Sequence, residues 1–500
     1  MKKRLLFVLL IAIAAMFALA GCGGASSSGG KGGNVTIGVT NMIDKIDPTD
    51  GGDPWSITSD GISETIYMQN KDGELVSHLA DDIKMNQDGT WTLTLKDGVK
   101  FSDGSAVDAK AVADCMNEIM KKNENAQASA GVIEFTAKDD KTLTLKPERK
   151  TTVMKSILCE WTNVIYKKDG DNYVFTGPYK VKSLEGGSKL ELEPNQYYDD
   201  NASKRPNVTL KCFKDTSSMQ TAFESGEIDM AFTITAEMAK DLQNKGHTVN
   251  NFDAGYQYFA MVNTANGALK DAKVREAVNE AIDRDAMVKS LQGGRVANGF
   301  FAQYYSFAGN VEEKFNADDA KAKLAEAGYK DTDGDKYLDK DGKPLTIKIA
   351  TYSYRPDLPV IAQLAVSDLD KIGIKAETSI EDNIDDYAAE KKYDLIFYAQ
   401  HTAPTGEPAY ALNMFFRSDG SKNTMGYSDK SIDAKLDELG KMEVGSERDE
   451  LAKTIQSDVQ KGMPVMYLID PEWHIAVSDK LKDYKPYCGD YYIVNPELGL

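Results

Sequence analysis

The 500-residue chain has few of the residues that build metal and thiol centres: five cysteines, four histidines and four tryptophans. Cys115, Cys159, Cys212 and Cys488 are scattered without a CxxC pair, which excludes a zinc ribbon or a dithiol redox centre. Spacing leaves them open as small buried hydrophobes or as disulfide partners outside the cytosol. His78, His247, His401 and His474 never recur at i, i+4, which argues against zinc held by protein side chains alone. No G-x-S-x-G, P-loop or H-E-x-x-H segment occurs. With no nucleophile–base pair in view, neither an enzyme nor a resident cofactor is expected. Positive charge is also short: 59 Lys and Arg face 78 Asp and Glu, for a net charge of −19 at pH 7. Such a surface repels nucleic acid and anionic headgroups. Beyond residue 18 no run is apolar enough to cross a bilayer.

The informative residues begin at the N-terminus. Lys2, Lys3 and Arg4 precede an unbroken apolar stretch over residues 5–18, too short to span a membrane comfortably and suited to a signal-peptide core. Leu19-Ala20-Gly21-Cys22 resembles the bacterial lipobox, which implies cleavage after residue 21 and lipidation of the Cys22 thiol. Several acyl chains anchor stably. Residues 22–33 read as a Gly/Ser tether spanning roughly 20 Å. Removing residues 1–21, with three positive charges and no negative ones, takes the net charge from −19 to −22. The expected location is the extracytoplasmic face of the cell membrane, held by lipid and not by charge.

A mature chain of this length exceeds one core, so two lobes are expected. Residues 34–40 alternate and read as a first strand. Around residues 90–101, Trp91, Leu93 and Leu95 share one strand face before an Asp97-Gly98 turn. Ser105 with Asp108 suggests a helix start, followed by a helical stripe of Val107, Ala111, Val112, Cys115, Met116, Ile119 and Met120 that reads as core. Residues 141–146 form another strand, so this region is α+β. From Leu345 the rhythm becomes strand, helix (360–372, ending at Gly373), strand, helix (383–391), strand, the pattern of a doubly wound, mostly parallel sheet. Ligands lie beyond the carboxyl ends of such strands. Two loops sit there, one after Thr351 and a long one after Gln400 that is rich in Pro, Gly and aromatics.

Several blocks in order, "LADDIKMNQDGTWTLTLKDGVKFSDGSAVDAKAV", "FTGPYKVKSL", "LEPNQYYDD", "TAFESGEIDM", "LKDAKVREAVNEAIDRDAMV" and "DDAKAKLAEAGYKDTDGD", resemble the bacterial extracellular solute-binding protein family 5, the peptide/nickel class that feeds ABC importers. The resemblance covers nearly all of the mature chain. It implies an α/β, two-lobed periplasmic-binding-protein (type II) clamshell with an inserted α+β subdomain in the first lobe. The implied division is lobe I at 34–56, 176–262 and 465–500, the inserted subdomain at 57–175 and lobe II at 263–464. It also implies ABC permease subunits as partners, a small-molecule ligand and a monomeric body. A sensor built on the same fold without transport is an alternative.

In peptide-binding members an aspartate in the loop equivalent to "HTAPTGEP" pairs with the peptide's α-ammonium. Here Ala403-Pro404-Thr405-Gly406 offers no carboxylate before Glu407. The stretch looks more like the branch that binds nickel chelates or metallophores, with oligopeptides or dipeptides as the alternative ligand. On that reading His401 could approach a chelated metal, or simply bond backbone. Arg417 suits a bidentate carboxylate clamp, unless it pairs with Asp419 or Glu407. Arg355 and Tyr352 share the neighbouring strand-end loop, where Arg355 could instead cap the next helix. Trp55 and Trp161 fall where loops of relatives face the cleft, and Tyr256 lies just before the lobe crossover. Tyr410 either stacks on ligand or joins the core. Residues 331–342 resemble an EF-hand loop, but Lys336 and Gly342 replace its glycine and its glutamate, so a solvated acidic hairpin is expected.

Overall fold

The structure is a computed structural model that describes residues 32–311, 313–486 and 489–500. The leader, lipidation at Cys22, most of the tether and Cys488 therefore lie outside the described residues. Cys115 and Cys159 are buried thiols and Cys212 is half-buried; none of the three is in a disulfide.

Two sheets dominate. The first has seven strands, in the order Tyr179–Glu185, Lys189–Pro194, Asn207–Cys212, Asn34–Val39, Met230–Ile234, Glu472–Val477 and Thr248–Asp253. The central strand Asn34–Val39 runs parallel to both of its neighbours. The second sheet has six strands, in the order Arg295–Val296, Val465–Asp470, Tyr256–Val262, Leu395–His401, Thr346–Thr351 and Lys375–Ile380. As the sequence implies, Thr346–Thr351 is parallel to Lys375–Ile380 and to Leu395–His401. Its other three pairings are antiparallel, so the sheet is mixed and not mostly parallel. The reason is connectivity: Tyr256–Val262 comes directly from the first sheet and Val465–Asp470 passes directly into it, neither link being a crossover helix.

Those links also move the expected lobe boundaries. Thr248–Asp253 pairs in the first sheet and Tyr256–Val262 in the second. Val465–Asp470 pairs in the second and Glu472–Val477 in the first. The lobes thus part near residues 254–255 and 471, where 262 and 465 were expected. Gly255 makes the first crossing feasible. Its φ is 72°, and a Cβ there would meet the His401 ring at 2.5 Å.

The inserted unit is an antiparallel four-stranded sheet, Ala80–Met85, Trp91–Leu95, Thr142–Pro147 and Ile133–Ala137. Trp91, Leu93 and Leu95 are buried as the alternation demands. Helix Ala109–Lys122 packs on this sheet with its apolar stripe inward. It starts later than expected, because the Asp108 carboxylate, not Ser105, caps it by accepting from Ala111 N at 2.7 Å. Helix Asp357–Lys371 begins three residues early, because Pro356 sits at its N-cap, and stops before Gly373 at φ 85°. The stretch after Gln400 is not one long loop. Ala409–Phe416 is a helix with all eight residues buried, entered through Pro408. A helix buried on every side has no polar face to announce it.

Asp331, Asp333 and Asp335 bring ligand-type oxygens within 4.8 Å of one another, all three exposed, and strands Asp339–Lys340 and Lys343–Pro344 close the hairpin behind them. Asp331 already accepts from the Gly334 and Lys336 N–H groups.

Candidate functional site

A cavity of about 810 Å³ opens between the two sheets and the inserted unit. That is within the range for one small ligand, about 300–1,000 Å³. Its floor and walls are aromatic: Trp55, Trp161, Tyr256, Tyr352, Tyr354 and Tyr491 all line it. Trp55 is on the first turn of helix Asp53–Ser59, whose path is set by Pro54. Tyr352 and Tyr354 leave strand Thr346–Thr351 and stack at 4.3 Å between centroids. The Tyr352 hydroxyl accepts from Ala399 N at 3.0 Å, which locks the turn onto the neighbouring strand.

Arg355 ends that turn and is the chemical centre of the wall. Its Nη2 donates to Asp490 Oδ2 at 2.6 Å and to the Tyr256 hydroxyl at 3.3 Å, while Tyr256 donates to Asp490 Oδ1 at 2.7 Å. The guanidinium lies 4.7 Å from the Trp473 ring and 4.9 Å from that of Tyr256, a cation–π setting. Burial alone would favour the neutral form, but the Asp490 carboxylate holds the Arg355 pKa well above its usual range. The Nε atom of Arg355 is buried and carries no hydrogen bond. Thus one edge of the guanidinium is filled from inside the protein, and its Nε is enclosed by packing.

The pair also joins the lobes. Arg355 belongs to the second sheet's side, and Asp490 is tied to the first by Ser59 Oγ, which donates to the Asp490 carbonyl at 2.6 Å. Further contacts cross the cleft: Thr40 Oγ1 to the Tyr354 carbonyl at 3.2 Å, and Ser421 Oγ to Asn125 Oδ1 at 2.7 Å. The lobes are therefore drawn together around the cavity.

A second lining cation is Lys422, with Nζ 2.5 Å from Asp385 and 3.1 Å from the Tyr398 hydroxyl. Asp53 faces the cavity half-buried. Burial, with Asp50 close by, pushes its carboxyl up to about 6, and its Oδ2 has no hydrogen bond.

Of the eight residues singled out from sequence, Trp55, Trp161, Tyr256, Tyr352 and Arg355 come together here. Three do not. His401 packs edge-on against Tyr256 and Tyr491, each 5.5 Å away between ring centroids, and burial lowers its pKa to about 3. It does not line the cavity wall. Tyr410 is fully buried in helix Ala409–Phe416. Arg417 is the C-cap of that helix and forms ion pairs with Asp437 and, at 3.4 Å, with Asp419. Its guanidinium ties two helices of one lobe together, away from the cavity lining. Sequence reasoning missed Tyr354, Lys422, Asp490 and Tyr491. Only Tyr354, inside the strand-end loop already singled out, had a local signal.

Comparison with known proteins adds three findings. Residues 74–423 match the family described as bacterial extracellular solute-binding proteins, family 5 Middle. The nickel-binding protein NikA of Staphylococcus aureus is 25% identical over 490 residues, 96% of each chain. Its crystal structure in complex with Ni(L-His)2 superposes with a TM-score of 0.85 at 24% identity, covering 93% of this chain and 99% of that one. The oligopeptide-binding protein AppA of Bacillus subtilis is 24% identical over 538 residues, 97% of this chain and 96% of AppA. Its structure with a nonapeptide gives a TM-score of 0.81 at 20% identity, covering 94% and 99%.

Proposed function

The chain belongs to the bacterial extracellular solute-binding proteins of family 5, and we propose that it captures a metal chelate in the cavity between its sheets and delivers it to an ABC importer. The observation that carries this reading is Arg355: a guanidinium in the aromatic wall of the cavity, held charged by Asp490 and so suited to a ligand carboxylate or carbonyl. The aromatic rings supply flat faces for the chelator, and the metal stays wrapped without a histidine from the protein. Short peptides are the second reading, favoured by the likeness to AppA and by the same carboxylate acceptor.

The body works at the outer face of the membrane, tied by acylated Cys22. Detergent partitioning that is the same for wild type and Cys22→Ala would defeat that anchor. The ligand reading is tested by calorimetry with nickel–histidine complexes and a dipeptide panel, on wild type and Arg355→Ala. Truncation of a desolvated charge partner costs about 2–5 kcal/mol of binding. Tight dipeptide binding that ignores nickel would replace the chelate reading with the peptide one. Binding of neither class would remove both.

A further inference from the structure

The charge around the cavity is lopsided. Its three lining cations are already committed: Arg355 to Asp490, Lys422 to Asp385 and Lys122 to Glu118 at 2.6 Å. Five lining carboxylates, Asp44, Asp53, Glu124, Asp382 and Asp386, make no ion pair among the described residues. Lys45, the basic neighbour of Asp53, is itself held by Asp50 at 2.5 Å and Asp47 at 3.8 Å. The five come from all three parts of the fold. Asp44 and Asp53 belong to the first lobe, Glu124 to the inserted unit, and Asp382 and Asp386 to the second lobe. Closing the lobes therefore crowds like charges around one cavity, and the repulsion is relieved only by positive charge placed between them.

Resting on the capture reading above, we propose that the solute is cationic where it faces this rim, that the exposed carboxylates steer it in, and that Asp53, on the cavity wall, adds its charge to theirs. Two sources share this chemistry: a metal ion whose charge its chelator leaves partly uncancelled, and an ammonium group on a peptide-like solute. In either case the cation acts as a pin between the lobes, so charge recognition and closure are one event.

The test uses two series of probes at matched size. One is dipeptides with net charges of plus one, zero and minus one; the other is nickel chelates over a similar range. Calorimetry should give affinities about tenfold tighter for the positive than for the negative member, from several exposed carboxylates each contributing below about 1 kcal/mol. The ratio should shrink when ionic strength rises from about 0.01 to about 0.15 M, as the Debye length falls from about 30 to about 8 Å. Asp53→Asn, and separately Asp382→Asn with Asp386→Asn, should lower the ratio. Exposed Asp81, off the cavity, serves as the control, and Asp81→Asn should leave the ratio alone. The series that carries the preference identifies the source of the cation. Binding without charge preference, or a ratio unmoved by both sets of variants, overturns this inference and leaves capture standing. Failure of every probe to bind removes the capture reading and this inference with it.

Discussion

Removing the Asp490 carboxylate should open the protein before it unfolds it. At 2.6 Å between Arg355 Nη2 and Asp490 Oδ2, the attraction is about 6 kcal/mol at an effective dielectric of about 20. Desolvating two ions cancels much of that, so the intact pair is worth little against an apolar isostere. Truncating one partner is different: it strands a buried charge, at about 3–5 kcal/mol. In Asp490→Ala the stranded group is Arg355, at 7% exposure. The protein can escape that loss by parting its lobes and letting water reach the guanidinium. The expected result is a larger radius of gyration in small-angle scattering of the unliganded variant, with a urea-unfolding loss smaller than 3–5 kcal/mol. A double-mutant cycle with Arg355→Ala should return a coupling energy above about 1.5 kcal/mol, the lower end for close interfacial charge pairs. A coupling below about 0.5 kcal/mol together with an unchanged radius of gyration would refute the reasoning.

Three other outcomes are expected. Because Asp53 is pushed up to about 6, chiefly by burial and by Asp50, with Asp47 adding and Lys45 opposing, it is neutralised as pH falls from about 7 to about 5; affinity for a cationic probe should drop over that window, and Asp53→Asn should flatten the profile. Glu160, fully buried with Oε1 bonded by Ser129 Oγ at 2.5 Å and Oε2 unbonded, has its pKa raised well above the usual range by burial. The folded state then holds a proton that the unfolded state releases near 4.5, so Glu160 should lower stability progressively as pH rises above that value; Glu160→Gln should remove this slope in urea titrations, and an unchanged slope counts against a protonated Glu160. His401 runs the other way. Its imidazole is neutral when folded, with a pKa near 3, and takes a proton near 6.5 when unfolded. Stability should therefore fall as pH drops from about 6.5 toward about 3, and ring resonances that titrate near 6.5 in the folded protein would contradict that.

Much of the fold is written in local pattern. The strands Thr346–Thr351 and Lys375–Ile380 and the helix between them were legible from period and from Gly373, and Leu395–His401, with six of seven residues buried, from its short apolar run. Tyr256–Val262 was not: all seven residues are buried, so nothing in its composition says which sheet it joins. The same lack of a polar face hid helix Ala409–Phe416 behind its Pro and Gly neighbours. At the site, strand-end position pointed to Tyr352 and Arg355, and both line the cavity. Lys422, on the cavity wall, and Asp490, behind Arg355, come from distant segments without a local pattern, and only tertiary packing reveals them. Arg417 misled because a guanidinium beside aromatics reads the same whether it waits for a ligand or, as here, for Asp437 in helix Lys430–Lys441.

The missing carboxylate in Ala403-Pro404-Thr405-Gly406 takes on a different meaning once Glu407 is located. Glu407 is buried and ion-paired to Arg448, itself 1% exposed, and it also accepts from Ala409 N at 3.0 Å. It is structural, so this loop lends no anion to the cavity. Yet the cavity is not short of anions: Asp53 lies on the facing lobe, and Asp382 and Asp386 lie by the start of helix Ile384–Ala389. The positive charge of a ligand is thus drawn to a different part of the cavity from the "HTAPTGEP" loop, while its acceptor groups have Arg355. A solute with one cationic and one anionic end satisfies both at once, whether the cation is a metal or an amine. An all-anionic chelate satisfies only Arg355 and meets the rim unfavourably. The geometry therefore discriminates less between metal and peptide than between solutes that carry a positive face and those that do not.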